Sequence, residues 1–337
     1  MNIVKGLTFD DVLLKPKYSK ITTRSNTVIS TDVDLGKNIK LKVPIISANM
    51  AHVTWDNMAN AISSIGGMAL LHRFAQKKEI ISTFKDLTKG GESWRSSFIG
   101  CSVGVKKEDY EFVDELVNSG CKIICVDIAH AHSVLAAKIT EYISSKYNYI
   151  LTIVGNIATS EGAKFLIDNG ADVVKCGIGN GAACTTRVNT GNGVPQLTAL
   201  DDIKNKLPNV KIISDGGLRF SGDLVKALCF ADAVMMGSLL AGTNESPGEA
   251  FLLNGKKYKK YAGSSTLKSN YIEGASGVVP NYGSVNDLIS VFMEGLRSGM
   301  SYQGVDNLID LKECPEFIQI SNAGLIESHP HNMIVNS

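Results

Sequence analysis

Residues 149–181 read YILTIVGNIATSEGAKFLIDNGADVVKCGIGNG and hold a complete strand, helix and strand. YILTIVGN (149–156) is a short β-branched run closed by Gly-Asn, as buried strands are. SEGAKFLIDNG (160–170) spaces its apolar residues with helical period and stops at Gly170. DVVKCGIG (172–179) is a second strand, and it feeds a glycine-rich loop.

The same unit recurs in both directions. Strand-like runs lie at 42–50, 67–72, 97–104, 122–129, 210–217 and 232–238. NMANAISSIG, YEFVDELVNSG, SVLAAKITEYISSKY and GDLVKALCF connect them with helical spacing. Eight strand–helix units in one chain predict an α/β fold, a (β/α)8 TIM barrel. A doubly wound sheet would split the units into two groups and open a helix with G-x-G-x-x-G; neither signal is present. We expect one domain over 1–337 without added modules, its N-terminal extension (1–40) and C-terminal segment (about 300–337) packing on the barrel or on a neighbouring subunit.

The chain has 337 residues, 44% of them hydrophobic, and a formal net charge of +1. That supplies a large core and no basic surface for nucleic acid or membrane, which favours a small-molecule partner. Seven cysteines, most inside apolar runs such as CKIICVDIA, read as reduced intracellular thiols. No apolar run approaches the roughly 18 residues of a membrane span, and the start lacks a signal-peptide pattern. A cytoplasmic protein is expected.

A barrel gathers functional groups where its strands end. Those positions hold Asn49-Met50, His72-Arg73, Gly104, Asp127, Gly155-Asn156, the loop GIGNGAACTTR (177–187), Asp215-Gly216-Gly217 and Gly237-Ser238. Ordinary turn chemistry accounts for part of this set. The loops after the seventh and eighth strands, SDGG and MGS, are where this fold commonly binds phosphate through backbone N–H groups. Asp215 beside them suits ribose hydroxyls, so a nucleoside monophosphate is indicated. Cys184 is either a small buried hydrophobe or a nucleophile, with Thr185, Thr186 and Arg187 at hand. Arg187 serves a thiolate or pairs with a carboxylate.

The loop resembles the G-I-G-P-G-S-x-C-T-T-R loop of the IMP dehydrogenase/GMP reductase family. LTFDDVLLKP, SDGGLRFSGD, MMGSLLAGTNESPGE, EGLRSGMSYQG and ISNAGLIESHPHN are similar to the same family, in the same order. The resemblance implies a barrel enzyme, usually tetrameric, that acts at purine C2 through a cysteine thioimidate. It implies Cys184 as nucleophile, Thr186 and Glu273 as the proton-transfer pair, and Asp215 as ribose ligand. Met50, Gly216, Gly217, Gly237, Ser238, Tyr261, Gly263 and Ser264 would hold the rest of the nucleotide. Asp127, Ala129 and Asn156 would face the nicotinamide cofactor. The carbonyls of Gly179, Gly181 and Cys184 resemble a monovalent-cation (K+) site that, in some members, Glu327 to His329 of a neighbouring subunit completes. Asn180 and Ala182 depart from the family's Pro and Ser, Ala51-His52 from its Asp-Thr, and Ala262-Gly263-Ser264 from its R-G-M.

Dehydrogenases of the family usually carry CBS modules after the second helix and a long flap whose Arg-Tyr pair activates water. Here residues 71–100 leave no room for such modules, and AGSSTLKSNYI, between Tyr261 and Glu273, contains no Arg. A reductase needs instead an acid for a departing amine. The expectation is therefore a GMP reductase using NADPH, most like the bacterial type and working as a homotetramer. The alternatives are an IMP dehydrogenase using NAD and a non-catalytic nucleotide-binding paralogue. SDGGLRFSGD, TGNGVPQ and the tail ESHPH look more like dehydrogenases. Cys121 and Cys125 read as core packing, and GKKYKKY as a solvated turn or hairpin.

Overall fold

The computed structural model describes residues 3–263 and 274–331. Eight parallel strands close into a barrel in chain order. They are β1 (Ile45–Ser47), β2 (Met68–Leu71), β3 (Ile99–Val103), β4 (Ile123–Asp127), β5 (Leu151–Ile157), β6 (Val173–Cys176), β7 (Lys211–Asp215) and β8 (Ala233–Met236). β8 pairs back onto β1, with Val234 opposite Ile45. All eight candidate strands are present. Their side chains are buried almost without interruption, because the helices cover one face and the barrel interior the other.

The helices are α1 (Asp56–Ser64), α2 (Lys77–Thr88), α3 (Lys107–Asn118), α4 (Val134–Lys146), α5 (Ser160–Asp168), α6 (Gln196–Lys206), α7 (Ser221–Leu228) and α8 (Val285–Gln303). Each turns an apolar stripe inward; in α3 this is Phe112, Val113, Leu116 and Val117. Helix α2 and a 3-10 segment (Gly90–Ser97) fill the path from β2 to β3. The chain is thus a single (β/α)8 barrel without CBS modules. Cys121 and Cys125 are buried in its core.

α8 lies very close to α7. A Cβ on Gly295 would fall 2.3 Å from the Cβ of Ser221, and one on Gly299 2.6 Å from a Val225 methyl. Gly295→Val should therefore cost about 2–3 kcal/mol through overpacking, read as a lower urea midpoint with unchanged slope.

An antiparallel hairpin, Val33–Gly36 with Ile39–Leu41, covers the N-terminal end of the barrel. Lys211 at the start of β7 donates to Asp34 O, and Lys37 donates to Asn148 O just before β5. The extension and the C-terminal segment also meet each other: Val12–Leu14 pairs antiparallel with Phe317–Gln319. At the opposite rim sits a three-stranded antiparallel sheet of Ala250–Leu253, Lys256–Ala262 and Ser276–Pro280. GKKYKKY forms the turn and middle strand of that sheet. The hairpin reading holds, but Lys259 is not solvated. It is 3% exposed, and its Nζ donates to the carbonyls of Thr243 and Ser246 at 2.7 and 2.6 Å.

Candidate active site

Inside the C-terminal mouth of the barrel is a cavity of about 280 Å3. Met50, Asp215, Gly216, Gly217, Gly237, Ser238 and Tyr261, drawn from four separate parts of the sequence, all line it. Gly216 and Gly217 have φ of +86° and +82°, a left-handed backbone that turns the chain at the end of β7. The Tyr261 ring comes from the three-stranded sheet; its hydroxyl lies 3.8 Å from Met50 Sδ. Burial, with the nearby Asp215 and Cys184, pushes that hydroxyl up to about 12. It is therefore a neutral donor at neutral pH.

Cys184 stands beside the cavity, half-buried, on the loop that leaves β6. Its Sγ lies 3.1 Å from Thr186 Oγ1. The loop's main chain is held on both sides: Cys184 N donates to Gly181 O, and Ala275 N to Ala183 O at 2.8 Å. A bridge between Cys184 and Gly274, and the bond from Gly263 N to Ala275 O, complete this clamp. Gly263 thus belongs to the frame of the Cys184 loop, outside the cavity lining. Ser264 and Glu273 lie outside the described residues.

Arg187 meets neither the thiol nor a carboxylate among the described residues. Its guanidinium donates to Val194 O at 2.6 Å. Its stem runs against Gly179 and Gly193, where a Cβ would approach Arg187 Cγ to 2.4 and 2.7 Å. Both glycines also have positive φ, +81° and +154°. Gly179→Ala should accordingly displace Arg187 and loosen the loop, lowering turnover at least about tenfold with little change in melting temperature. Asn180 fastens the same loop to the barrel, its Nδ2 donating to Gln196 Oε1 and to Asp215 O, both at 2.7 Å. Gln196 is buried and reaches on to Cys176 O and Ser214 Oγ.

Asp127 and Asn156 do not line the cavity; they lie on the other side of a residue that the sequence reading passed over. Lys175, in the middle of β6, is 2% exposed. Its Nζ is 2.9 Å from Asp215 Oδ2 and 3.1 Å from Asp127 Oδ1, and it also donates to Asn156 Oδ1. Asn156 Nδ2 donates to Asp215 Oδ2 at 2.8 Å and to Gly177 O at 2.7 Å. Burial works against the Lys175 charge, but Asp215 and Asp127 outweigh it and hold the ammonium protonated well above the usual lysine range. Arg73, at the end of β2, donates to Asp127 O at 3.0 Å from the outer side. Ala129 is exposed just past Asp127.

The N-terminal segment was missed as well. Thr8, Phe9 and Asp10 form part of the cavity wall, with Arg219 paired to Asp10. The motifs LTFDDVLLKP and SDGGLRFSGD meet here, which explains why both sit at the site. Near the candidate cation site, the Gly181 carbonyl already accepts the Cys184 N–H at 3.0 Å. His329 packs by its ring on Phe220 of the same chain.

Fold and site define a barrel protein with a thiol poised at the edge of a glycine-lined, cation-bearing cavity suited to a phosphorylated ligand. The chain belongs to the IMP dehydrogenase / GMP reductase family, whose domain pattern matches residues 6–331. Inosine-5'-monophosphate dehydrogenase of Borreliella burgdorferi is 37% identical over 397 aligned positions, covering 98% of this chain and 97% of the relative. The enzyme of the same name from Nitrosopumilus maritimus is 32% identical over 99% of this chain and all of its own length. Among solved structures, a cysteine-to-alanine variant of GMP reductase from Trypanosoma brucei in complex with guanosine 5'-monophosphate superposes with a TM-score of 0.91. It is 28% identical, over 98% of this chain and 99% of its own. The chain is thus a member of an oxidoreductase family that uses a nicotinamide cofactor. Among the described residues no helix is long and apolar enough to cross a membrane.

Proposed function

We propose that this protein is a GMP reductase, converting GMP and NADPH to IMP, ammonia and NADP+. The observation that carries the reading is the eleven-residue segment between Tyr261 and Glu273, which lacks an arginine to act as base toward water. The guanosine-monophosphate complex of the trypanosomal reductase, a near-complete structural match, supports the same substrate.

In this reading the 5'-phosphate lies against Gly216, Gly217, Gly237 and Ser238, under the Tyr261 hydroxyl, and Asp215 accepts from the ribose. The Cys184 thiolate adds to purine C2. Glu273, through Thr186, delivers a proton to the exocyclic amine, the C2–N bond breaks, and ammonia leaves a thioimidate. Asp127, Ala129 and Asn156 would hold the nicotinamide cofactor, which when bound would supply the hydride for C2; the Cys184 C–S bond then breaks, and IMP departs with the thiolate restored. Thr186 fits its part by lying within hydrogen-bond reach of Sγ. The tetramer, the preference for NADPH, a K+ ion at Gly179, Gly181 and Cys184, nucleotide contacts from Gly263 and Ser264, and a cytoplasmic location belong to the same proposal.

A second reading has a specific observation in its favour: full-length relatives at 31–37% identity are named dehydrogenases. In that reading IMP is oxidised to XMP with NAD, and another group activates water. Glu273→Gln separates the two. As the acid for the amine it should slow ammonia release from GMP at least about 100-fold, while hydride exchange between IMP and NADP+, which expels no amine, falls less than about fivefold. Equal losses in both half-reactions would overturn this assignment of Glu273.

A further inference from the structure

We infer that Lys175 couples the nucleotide and nicotinamide halves of the site, so that filling one strengthens binding at the other. The inference rests on the proposed placement of the nucleotide at Asp215 and of the cofactor at Asp127. The ammonium touches one oxygen of each carboxylate, at 2.9 Å and 3.1 Å, and Asn156 bonds both to Lys175 and to Asp215. Asp215 faces the cavity, whereas Asp127 stands outside it, backed by Arg73. One buried cation is therefore the shared counter-charge of two carboxylates that serve different ligands. With a side chain only 3% exposed, Lys175 is shielded from solvent that could take the place of either partner.

The coupling follows from that sharing. Among the described residues the second oxygen of Asp215, Oδ1, is left for a ligand, whereas Asp127 Oδ2 already faces Arg73 Nε at 3.9 Å, so a ligand there would share it with the guanidinium. A ribose diol that fixes Asp215 also fixes the ammonium between the two acids, and with it the oxygen of Asp127 that the ammonium holds. The cost of ordering the trio is met by the first ligand, and the second binds to an arranged partner. By reciprocity the factor is the same in either order of binding. Lys175 is a positioning residue in this account; it contacts neither ligand.

The test is a binding measurement on the native chain, with NADP+ titrated in the absence and presence of saturating GMP, a pair that holds no hydride to transfer. GMP should tighten NADP+ at least about fivefold in the native protein. Lys175→Met should bring the factor to within about twofold of unity, and Lys175→Arg, which keeps the cation, should restore most of it. Should Lys175→Met fail to fold, Lys175→Gln removes the same charge while keeping a hydrogen-bond donor. It should abolish the coupling while leaving the affinity for GMP alone within about threefold. Native-size coupling in folded Lys175→Met or in Lys175→Gln overturns the inference, as does a native factor near unity. If IMP and NADH bind but GMP and NADP+ do not, the proposed reaction is at fault, and the same factor is read on that pair with the same outcomes. If neither pair binds, the inference falls with the site.

Discussion

Cys184→Ala should abolish turnover, by at least about 10^4-fold in kcat, while the affinity for nucleotide stays within about tenfold of the native value. The asymmetry follows from where the residue stands. The thiol is beside the cavity proposed for the nucleotide, so the ground-state contacts proposed for Asp215, Tyr261 and the glycine turns do not depend on it. The loop does not depend on the sulfur either, because its position is set by main-chain bonds: Cys184 N to Gly181 O, Ala275 N to Ala183 O, and the bridge to Gly274. In the proposed mechanism alanine would remove the bond to C2, without which the amine would not leave. Parallel measurement of kcat and of nucleotide Kd checks this. Turnover near the native rate would exclude a thioimidate.

GMP should bind more tightly than guanosine by at least about 3 kcal/mol, more than about 100-fold in Kd. At the end of β7 the backbone turns through two consecutive left-handed glycines, and Gly237 with Ser238 ends β8 alongside. At the three glycines, main-chain N–H groups would meet a dianion without an intervening Cβ. Two guanidinium groups, Arg187 and Arg219, share the same wall. Several charge-assisted bonds are lost together when the phosphate is removed. Calorimetric titration of the two ligands under one salt condition measures the difference, and equal affinities would remove the phosphate from this cavity.

The barrel was legible because its strands are buried on both faces and therefore read as unbroken apolar runs. YILTIVGN, for instance, became Leu151–Ile157. The rim residues followed from the rule that strands end at the site, and Met50, Asp215 and Gly237 do meet at one cavity. Lys175 does not stand out in the apolar pattern of DVVKCGIG, which fits a strand whatever the lysine does. A single lysine in an otherwise buried strand is itself a signal, since such a charge needs carboxylate partners, and two acids at other strand ends were available. The three-stranded sheet was hidden for a different reason. GKKYKKY reads as a solvated basic run, and its middle strand pairs with Ser276–Pro280, a partner too distant in the chain for local pattern to show. The role of Arg187 depends on two glycines on either side of it in the chain, at 179 and 193, whose convergence appears only in three dimensions.

The central claim is that the protein reduces GMP. Two mixtures test it directly: the purified protein with GMP and NADPH, and separately with IMP and NAD+, both followed at the reduced-nicotinamide absorbance band. A GMP reductase gives steady loss of NADPH in the first, with IMP and ammonia formed in equal amounts, and no sustained NADH or XMP in the second. Sustained production of XMP in the second, with NADPH untouched in the first, would contradict it and make the protein an IMP dehydrogenase.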